Sequence, residues 1–576
     1  MNPLFLVLWM ITMIGVVCPK EVHSQNRLVG SWEGNFMNDN NLTLILNFQE
    51  QSNKDIGGNI RLFQGVTKIQ DDSLSRIQLS GNQLSFLIEA KNTPFEGQLT
   101  DDGSKLAGEF RFPDGSVHPM VVQKVTRPSR GRLSAEASHE PDSIILHQKF
   151  SQDRLIADLE FLWRLLEKNH PQLYLYTSKE DFEVLFDSLL HQLPAEATLD
   201  VFFRMMAPLV ARIGCSHTGI RPPEAYTRAM EQRKHLIPLK VHFLDDQAYI
   251  LKNGLQTTDI QPGTRLLSIN GEDMSSIHRR LTECIPADAL NLFAKSYEIN
   301  HNFASVYSLY IGTSDAFDVG CIDPDGKPIN VQIGGMRPDL FAAFSEKAVS
   351  GSPVSDTLPL SYTLDENSRT AVLKVKAFMA GNWQSYNQYL LDFFTRLRKE
   401  DFRKLIIDVR GNKGGHPFFA AELLTYLSPA GFPYFALPLE QGEFAPLYHS
   451  FPPRNEYFRG NLYVLMDGGC LSTTGHFLSL IRYHRLGWLV GEPSGSSFYA
   501  NDQSIQVSLP ETGIMLNLPR TTFQTAVEGF KMGDLLLPDY AVKPSLEDLL
   551  QQRDVQLEYT MKLPIRSNLN QTENNE

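Results

Sequence analysis

A serine between a strand-like segment and a helix-like segment is the first residue whose position suggests chemistry. Residues 461–480, NLYVLMDGGCLSTTGHFLSL, read as an apolar strand, a glycine turn and a helix that starts near Ser472. Free backbone N–H groups and the positive end of the helix dipole favour a developing anion there. Ser472 is therefore a candidate nucleophile. The competing interpretation is a helix N-cap, a role that Thr473 and Thr474 could also fill.

A glycine-rich loop marks a second junction of this kind. Residues 404–416, KLIIDVRGNKGGH, read as a buried strand that opens into a loop with Gly411, Gly414 and Gly415. The loop could cradle a phosphate, but it lacks the Walker spacing with lysine followed by serine or threonine. It could instead direct N–H groups at an oxyanion. In an α/β sheet such junctions gather at the carboxyl ends of the strands.

The elements that position these residues follow from changes in hydrophobic period along the chain. Period-two alternation broken by turn residues predicts an accessory antiparallel β-sheet or barrel over residues 25–126. A polar linker, 127–144, follows. Helical periodicity then predicts a helical region over 145–235, interrupted at residues 169–171 by Asn-His-Pro, because proline disfavours helix in the residue before it.

The remainder of the chain divides in the same way. Turn signals in IQPGTRLLSING predict a small β-rich module over 236–340. Alternating strands and helices predict a largely parallel, helix-covered sheet over 355–562, and the polar residues 563–576 predict a disordered tail. The short apolar run near the N-terminus predicts a secretory signal over 1–24 that is cleaved before Gln25. We expect a protein exported to the periplasm or the extracellular space.

Composition narrows the class of partner. A length of 576 residues suggests about three or four domains, and 42% hydrophobic with 21% charged residues is typical of globular proteins rather than integral membrane proteins. A formal charge of −13 argues against nucleic acid as the main partner. No CxxC or other metal-ligand spacing occurs among the cysteines that follow the signal, which are either buried thiols or a disulfide staple: Cys215, Cys284, Cys321 and Cys470.

The two junctions together resemble the C-terminal processing (tail-specific) serine peptidase family. LIIDVRGNKGG is paired with VLMDGGCLSTTGHF and, after an interval, with LVGEPSGSS. LEFLWRLLEKNHPQLYLYTSKEDFEVLFDSLLHQLP resembles the helical region of that family, IQPGTRLLSING its PDZ-like module, and LLLPDYAVKPSLEDLL its closing segment. The resemblance covers roughly residues 150–560. It implies a multidomain chain with a PDZ-like β module and an α/β peptidase domain of the ClpP/crotonase-like type.

The resemblance places the nucleophile on Ser472 and separates two branches by the general base. The Ser-Lys branch carries a lysine shortly after Glu-Pro-x-x-Gly, whereas this chain has Ser496 and another serine there and no lysine before Lys531. The chain is closer to the tricorn-core type Ser-His branch. In that branch the base corresponds to His217, and the hydroxyl of Ser216 is an accessory group.

The resemblance also implies the remaining site residues. Glu528 follows the nucleophile at the usual interval of the family and is its acidic member, with Asp534 as the rival. The oxyanion would be held by the backbone N–H of Thr473 and by one from Gly414 or Gly415. Two nearby histidines, His416 and His476, match no family role and are predicted to be solvated or capping residues.

We therefore expect a secreted serine endopeptidase that hydrolyses peptide bonds of extracytoplasmic proteins or peptides through an acyl-enzyme, without a metal or cofactor. Its partners are polypeptide or peptide substrates, and the oligomeric state stays undetermined. An alternative is a catalytically inactive homologue that binds a peptide or a partner. A third possibility, an esterase, lacks the G-x-S-x-G elbow at Ser472.

Overall fold

The structure is a computed structural model that describes residues 27–36, 39–51, 55–64, 67–89, 93–100, 103–111, 117–125, 146–233, 235–255, 260–346, 359–379, 382–436 and 443–565. The chain divides into two compact units, Met1–Glu140 and Pro141–Glu576. The predicted signal at 1–24, the linker at 127–144 and most of the predicted tail lie outside the described residues.

The first unit contains a closed antiparallel barrel, which confirms the barrel alternative. Its strands pair in sequence order and the last returns to the first. They are β1 Gly30–Phe36, β2 Asp39–Glu50, β3 Ile56–Gln64, β4 Thr67–Ser80, β5 Gln83–Ile88, β6 Thr93–Leu99, β7 Lys105–Arg111 and β8 Val117–Val125. Alternate side chains of β5 are buried, as the period-two pattern predicted. Apolar side chains such as Trp32, Phe95 and Phe110 fill the interior, which makes it a packed core.

The second unit begins with the predicted helices. The elements are β9 Lys149–Ser151, α1 Gln152–Asn169, α2 Lys179–Gln192, β10 Glu196–Thr198, α3 Leu199–Ala211, β11 Gly219–Arg221 and α4 Glu224–Arg233. The first helix, α1, ends at Asn169, and His170 is extended because Pro171 follows it. The buried face of α1 carries the leucine repeat seen in the sequence, Leu155, Leu159, Leu162 and Leu166.

The next region is less purely β than the sequence predicted. It contains β12 Leu239–Leu244, β13 Gln247–Asn253, β14 Arg265–Ile269, β15 Glu272–Asp273, α5 Met274–Cys284, α6 Leu292–Tyr310, β16 Ala316–Ile322, β17 Pro328–Gly334 and α7 Pro338–Glu346. The strands form one sheet in the order β12-β13-β14-β16-β17, with β15 paired to β14. The sequence analysis predicted a β-rich module here and missed helices α5 and α6. The side chains of Asp273 and Asn291 cap the first turns of these helices, but the surrounding strand pattern obscured this local signal.

The last region confirms the largely parallel, helix-covered sheet. It contains β18 Leu360–Asp365, β19 Thr370–Val375, α8 Trp383–Lys399, β20 Lys404–Asp408, α9 Pro417–Thr425, β21 Asn461–Met466, α10 Thr473–Tyr483, β22 Trp488–Gly491, β23 Tyr499–Asp502, β24 Ile505–Ser508, β25 Met515–Leu518, β26 Thr521–Gln524, β27 Tyr540–Ala541, α11 Leu546–Leu550 and α12 Val555–Lys562. The sheet order is β18-β19-β20-β21-β22-β27, parallel from β19 onward. Every residue of β20 and β21 is buried, as expected for the centre of such a sheet.

A small sheet connects the helical region to the last region. Its order is β11-β25-β24, so a strand that follows α3 pairs with a strand far along the chain. The four cysteines after the predicted signal are free and buried, so they are thiols and form no disulfide staple. Within the ranges that the structure describes, no helix is both long enough and apolar enough to span a membrane.

Candidate active site

Ser472 occupies the N-cap position of α10, but its side chain does not cap the helix. The backbone has φ 52° and ψ −125°, a combination that is rare for a residue with a Cβ and costs conformational energy. The side chain is mostly buried, and its Oγ has no hydrogen-bond partner among the described residues. The capping interpretation therefore does not account for the hydroxyl, and the strained backbone indicates a functional position.

The two sequence junctions meet at this point. Leu471 donates its N–H to the carbonyl oxygen of Asn412 at 3.1 Å, which joins the loop after β21 to the loop after β20. Asp467 Oδ1 accepts the N–H groups of Gly411 and Gly469, each at 2.9 Å. Burial raises the pKa of this carboxyl, although the bonds from the two amides favour its ionised form. These contacts hold the glycine loop against the first turn of α10.

Two backbone N–H groups next to Ser472 remain free to receive an oxyanion. Thr473 is the first residue of α10, so its N–H lacks an intrahelical partner. Of the two glycines predicted, Gly414 already donates its N–H to Asn412 Oδ1 at 2.9 Å. The carbonyl of Gly415 accepts the Thr473 hydroxyl at 2.5 Å. In the bridge that pairs Gly415 with Phe378, the Gly414 carbonyl accepts the Phe378 N–H and the His416 N–H donates to the Phe378 carbonyl, so the Gly415 N–H takes no part. The N–H of Gly415 therefore has no hydrogen-bond partner within the described part of the chain.

The loop between α3 and β11 carries His217. The pairing of β11 with β25 fixes this loop, and Asn517 of β25 donates its side-chain N–H to the His217 carbonyl at 2.5 Å. The neighbouring Thr218 hydroxyl contacts His170 Nε2 at 2.9 Å. The loop is thus held by a strand pair on one side and by a buried histidine on the other.

The His217 ring lies near α10 but forms no hydrogen bond with Ser472 in this structure. Its Nδ1 is 3.2 Å from Ser216 Oγ, and its Nε2 is 3.5 Å from Asp502 Oδ2. Its charge acts on His476, four residues after Ser472 on α10. Burial and, secondarily, the charge of His217 lower the pKa of His476 to about 3. A hydrogen bond between His217 and Ser472 would have to form when substrate binds, as catalytic hydrogen bonds often do.

The acidic residues expected from the resemblance do not contact His217. Glu528 is exposed and forms no hydrogen bond or ion pair within the described ranges. Asp534 is exposed too, and its carboxylate accepts the Lys531 N–H at 2.8 Å. The carboxylates beside His217 belong to Asp502 and Asp288, which the sequence analysis missed.

Asp288 is the first residue of a single 3-10 turn, Asp288–Leu290, and its carboxylate is buried. Oδ1 accepts the Ser216 N–H at 2.8 Å and Oδ2 accepts the Ser496 hydroxyl at 2.5 Å. One atom each of Asp288, Cys215 and His217 lie within 4.8 Å of one another, and all three are of types that bind zinc. Burial raises the pKa of Cys215 to about 12, so a metal would have to displace the thiol proton. It would also compete with the hydrogen bonds that the Asp288 carboxylate accepts from Ser216 and Ser496.

The prediction that His476 is solvated or capping is wrong. Its ring is almost fully buried, lies edge-on to Tyr434 and Phe435, and has no hydrogen-bond partner for either nitrogen among the described residues. The sequence carried no signal for this, because the aromatic residues come from a different loop. His416 occupies the N-cap position of α9, but its side chain forms no capping bond. The side chain is partly exposed, and its Nε2 lies 2.8 Å from Glu443 Oε1.

Comparisons with known proteins are consistent with this geometry. Residues 369–542, which include Ser472 and both glycines, match the model of peptidase family S41. The chain is similar to the crystal structure of mature CPAF, with a TM-score of 0.51 and 14% identity over 71% of this chain and 96% of that one. The curated proteins contain no match to the chain.

Two further solved structures align with lower scores. They are the photosystem II D1 C-terminal processing protease, with a TM-score of 0.36 and 13% identity over 69% of this chain and 96% of that one, and the tricorn protease, with a TM-score of 0.36 and 13% identity over 92% of this chain and 46% of that one. The match to the S41 model covers residues 369–542, which is less than half of the chain, and the likeness to mature CPAF is one of fold.

Proposed function

We propose that this S41-type serine peptidase uses Ser472 as its nucleophile and His217 as its general base. The observation that carries the proposal is the Ser472 hydroxyl. It does not cap α10, has no hydrogen-bond partner within the described ranges, and sits on a strained backbone at the start of that helix. A serine hydroxyl is a weak nucleophile at neutral pH until a neighbouring base accepts its proton. His217 is the titratable base that the small β11-β25 sheet brings near this helix.

The reaction then follows the acyl-enzyme route. Ser472 Oγ attacks the carbonyl carbon of the scissile peptide while its proton passes to His217. The negative oxygen of the tetrahedral intermediate accepts the N–H groups of Thr473 and Gly415. His217 returns the proton to the leaving amine, and water activated by the same ring hydrolyses the acyl-enzyme. Ser216 Oγ, near Nδ1, limits rotation of the ring.

The position of Ser496 favours the Ser-His branch over the Ser-Lys branch. Ser496 follows the Glu-Pro segment where the other branch carries its lysine, and its hydroxyl donates to Asp288. A carboxylate at this point would bind a lysine as an ion pair and so remove it from proton transfer. Glu528 is the supporting acid that the resemblance implies. It forms no contact with His217 among the described residues, so the variant Glu528→Gln tests it against the nearer carboxylates.

The substrates we propose are polypeptides outside the cytoplasm. An extended chain laid against a sheet edge would be held mainly through its backbone, which suits substrates of varied sequence. The region of β12 to β17 would act as a PDZ-like module, and residues 1–24 would direct export. Cleavage within chains, as an endopeptidase, completes the proposal.

The test compares hydrolysis of an unfolded fluorescent protein by the wild type and three folded variants. Ser472→Ala and His217→Ala are each expected to lower kcat by at least about 10³-fold. Ser479→Ala is the matched control, because it removes a buried hydroxyl from the same helix. That hydroxyl donates to the Gly475 carbonyl. Its activity should stay within a few-fold of the wild type.

A fluorophosphonate probe supplies the second measurement. We expect covalent labelling of Ser472, identified by peptide mass spectrometry, in the wild type and in Ser479→Ala. A wild type that neither hydrolyses peptides nor reacts with the probe would contradict the proposal and favour the binding-protein alternative. Undiminished activity of Ser472→Ala would place the nucleophile elsewhere.

A further inference from the structure

A buried carboxylate joins the loop of His217 to the helix of Ser472. Asp288 Oδ1 accepts the N–H of Ser216, the residue before His217, at 2.8 Å. Oδ2 accepts the hydroxyl of Ser496 at 2.5 Å. One side chain thus bonds to two segments that are far apart in sequence.

The Ser496 end of this bridge is fixed to α10. Ser496 donates its N–H to the Cys470 carbonyl at 3.0 Å, directly before the nucleophile segment. Its Cβ packs so closely on the first turn of α10 that a Cβ on Gly475 would lie 2.7 Å from it. Only glycine fits at that point of the helix, so Ser496 and the first turn of α10 form one packed unit.

The backbone around Asp288 is held in an uncommon conformation. Ala289 and Leu290 have φ of 54° and 58°, which residues with a Cβ seldom adopt in succession. The Ala289 N–H donates to the Gly214 carbonyl at 2.9 Å, a second connection to the loop of His217. Strain of this kind persists where the surroundings require it and points to a functional constraint.

The charges that face His217 can be compared directly. Its neighbours are Asp502, Asp288, Cys215 and His476, with Tyr176 and Tyr499 close to Asp288. Burial raises the pKa of the thiol and of both phenols and lowers that of His476, so these groups are uncharged near neutral pH. The two carboxylates differ in burial. Asp502 has 45% of its side chain exposed and is screened by solvent, whereas Asp288 is buried and is screened less.

We propose that Asp288 is the positioning carboxylate of the Ser472–His217 peptidase proposed above. It holds the His217 loop in register with α10 through Ser216 and Ser496, and its charge stabilises the imidazolium that forms when Ser472 loses its proton. The inference rests on that proposed function, and it assigns the supporting acid to a residue outside the region that matches the peptidase family.

The main test is the pH profile of peptide hydrolysis by Asp288→Asn. Asparagine keeps an acceptor for the Ser216 N–H and loses the charge. We expect kcat to fall about 10- to 100-fold, less than the roughly 10⁴-fold seen where an aspartate bonds the histidine directly. The midpoint of the acid limb of kcat/KM should move down by about one pH unit, because a carboxylate no longer favours the protonated ring.

Two matched variants separate charge from architecture. Ser496→Ala removes the Oδ2 bond and keeps the charge, so kcat should fall while the acid midpoint stays in place. Asp502→Asn removes the exposed carboxylate and should move the midpoint less than Asp288→Asn does. If Asp288→Asn does not fold, Ser496→Ala decides: an undiminished kcat in that variant overturns the proposal.

An NMR measurement that needs no peptide hydrolysis distinguishes the role of Asp288 from the proposed peptidase function. Ring-labelled histidine lets NMR follow the titration midpoint of His217 in the wild type and in Asp288→Asn, whether or not peptides are cleaved. An inactive wild type with a lower midpoint in Asp288→Asn would end the peptidase proposal and support the electrostatic effect of Asp288 on His217. An unchanged midpoint in Asp288→Asn, or a larger shift from Asp502→Asn or Glu528→Gln, would overturn the role of Asp288.

Discussion

Gly414 packs against Ser472 and leaves no room for a side chain. A Cβ on Gly414 would lie 2.9 Å from Ser472 Cβ, closer than real Cβ atoms approach a neighbour, and 3.0 Å from the Thr473 nitrogen, which is tighter than most real contacts. Gly414 also has φ of 101°, which disfavours any side chain. The glycine is therefore required both by its own backbone and by the position of the nucleophile.

Gly414→Ala is expected to lower kcat by about 10²-fold or more, because the added methyl displaces Ser472 and the adjacent Thr473 N–H. Gly271→Ala is the control. Gly271 also has a positive φ, of 80°, but nothing lies within 4 Å of an added Cβ. Steady-state kinetics and the Tm of both variants provide the measurement. A Gly414→Ala enzyme with wild-type kcat would show that the loop does not set the position of the nucleophile.

At the scale of elements, an arginine at the end of β20 ties the C-terminal helix to the central sheet. Arg410 donates to Asp408 of β20 and, through both terminal nitrogens, to Asp554 at the start of α12, each at 2.7 Å. Burial would raise the pKa of Asp554, and the bonds from Arg410 outweigh this and lower it. The ion pair thus orders the loop after β20, which leads to the glycines of the site.

Arg410→Ala should lower the free energy of unfolding by about 3 kcal/mol, because it removes the closer of two cations at the buried Asp408 and leaves the Lys374 ammonium 3.9 Å away. Arg403→Ala is the matched control at the other end of the same strand. Arg403 pairs with Asp401, both side chains are more than half exposed, and such surface pairs contribute little. Urea unfolding of the two variants beside the wild type measures the difference. Equal effects would mean that Asp408 is stabilised by other groups.

At the scale of the whole molecule, the two units have separate apolar cores, and the second unit contains several histidines that burial keeps neutral. Burial lowers the pKa of His170 and His242 to about 4 and that of His476 to about 3. In the unfolded chain a histidine has a pKa near 6.5. Between these values the unfolded chain binds more protons than the folded one, so stability falls as the pH drops from about 6.5.

His476→Phe should weaken this acid sensitivity. A phenyl ring suits the aromatic surroundings of Tyr434 and Phe435 and takes up no proton. At pH 5 the wild type should have lost about 2 kcal/mol through His476 relative to pH 7, and the variant should not show that loss. Unfolding free energies across pH 4.5–7.5 test this, with His191→Gln at an exposed site as the control. Parallel profiles for the wild type and His476→Phe would contradict it.

Local patterns in the sequence sufficed to predict the barrel, the helices of the second unit, the parallel sheet and the strand-to-helix junction that carries Ser472. Each of these depends on hydrophobic period, turn residues or caps within about twenty neighbouring residues, and such signals survive without tertiary information. Helices α5 and α6 escaped prediction although their caps are local, because a strand pattern surrounds them.

The surroundings of the candidate base depended on tertiary structure. The carboxylates of Asp288 and Asp502 face His217 only because β11 pairs with β25 and the 3-10 turn at Asp288 lies beside the loop of His217. The Gly415 N–H is available only because the neighbouring groups of Gly414 and Phe378 bond elsewhere. His476 is buried by aromatic side chains from a loop that is distant in sequence. Contacts between remote segments carry no local period, so only the packed chain decides them.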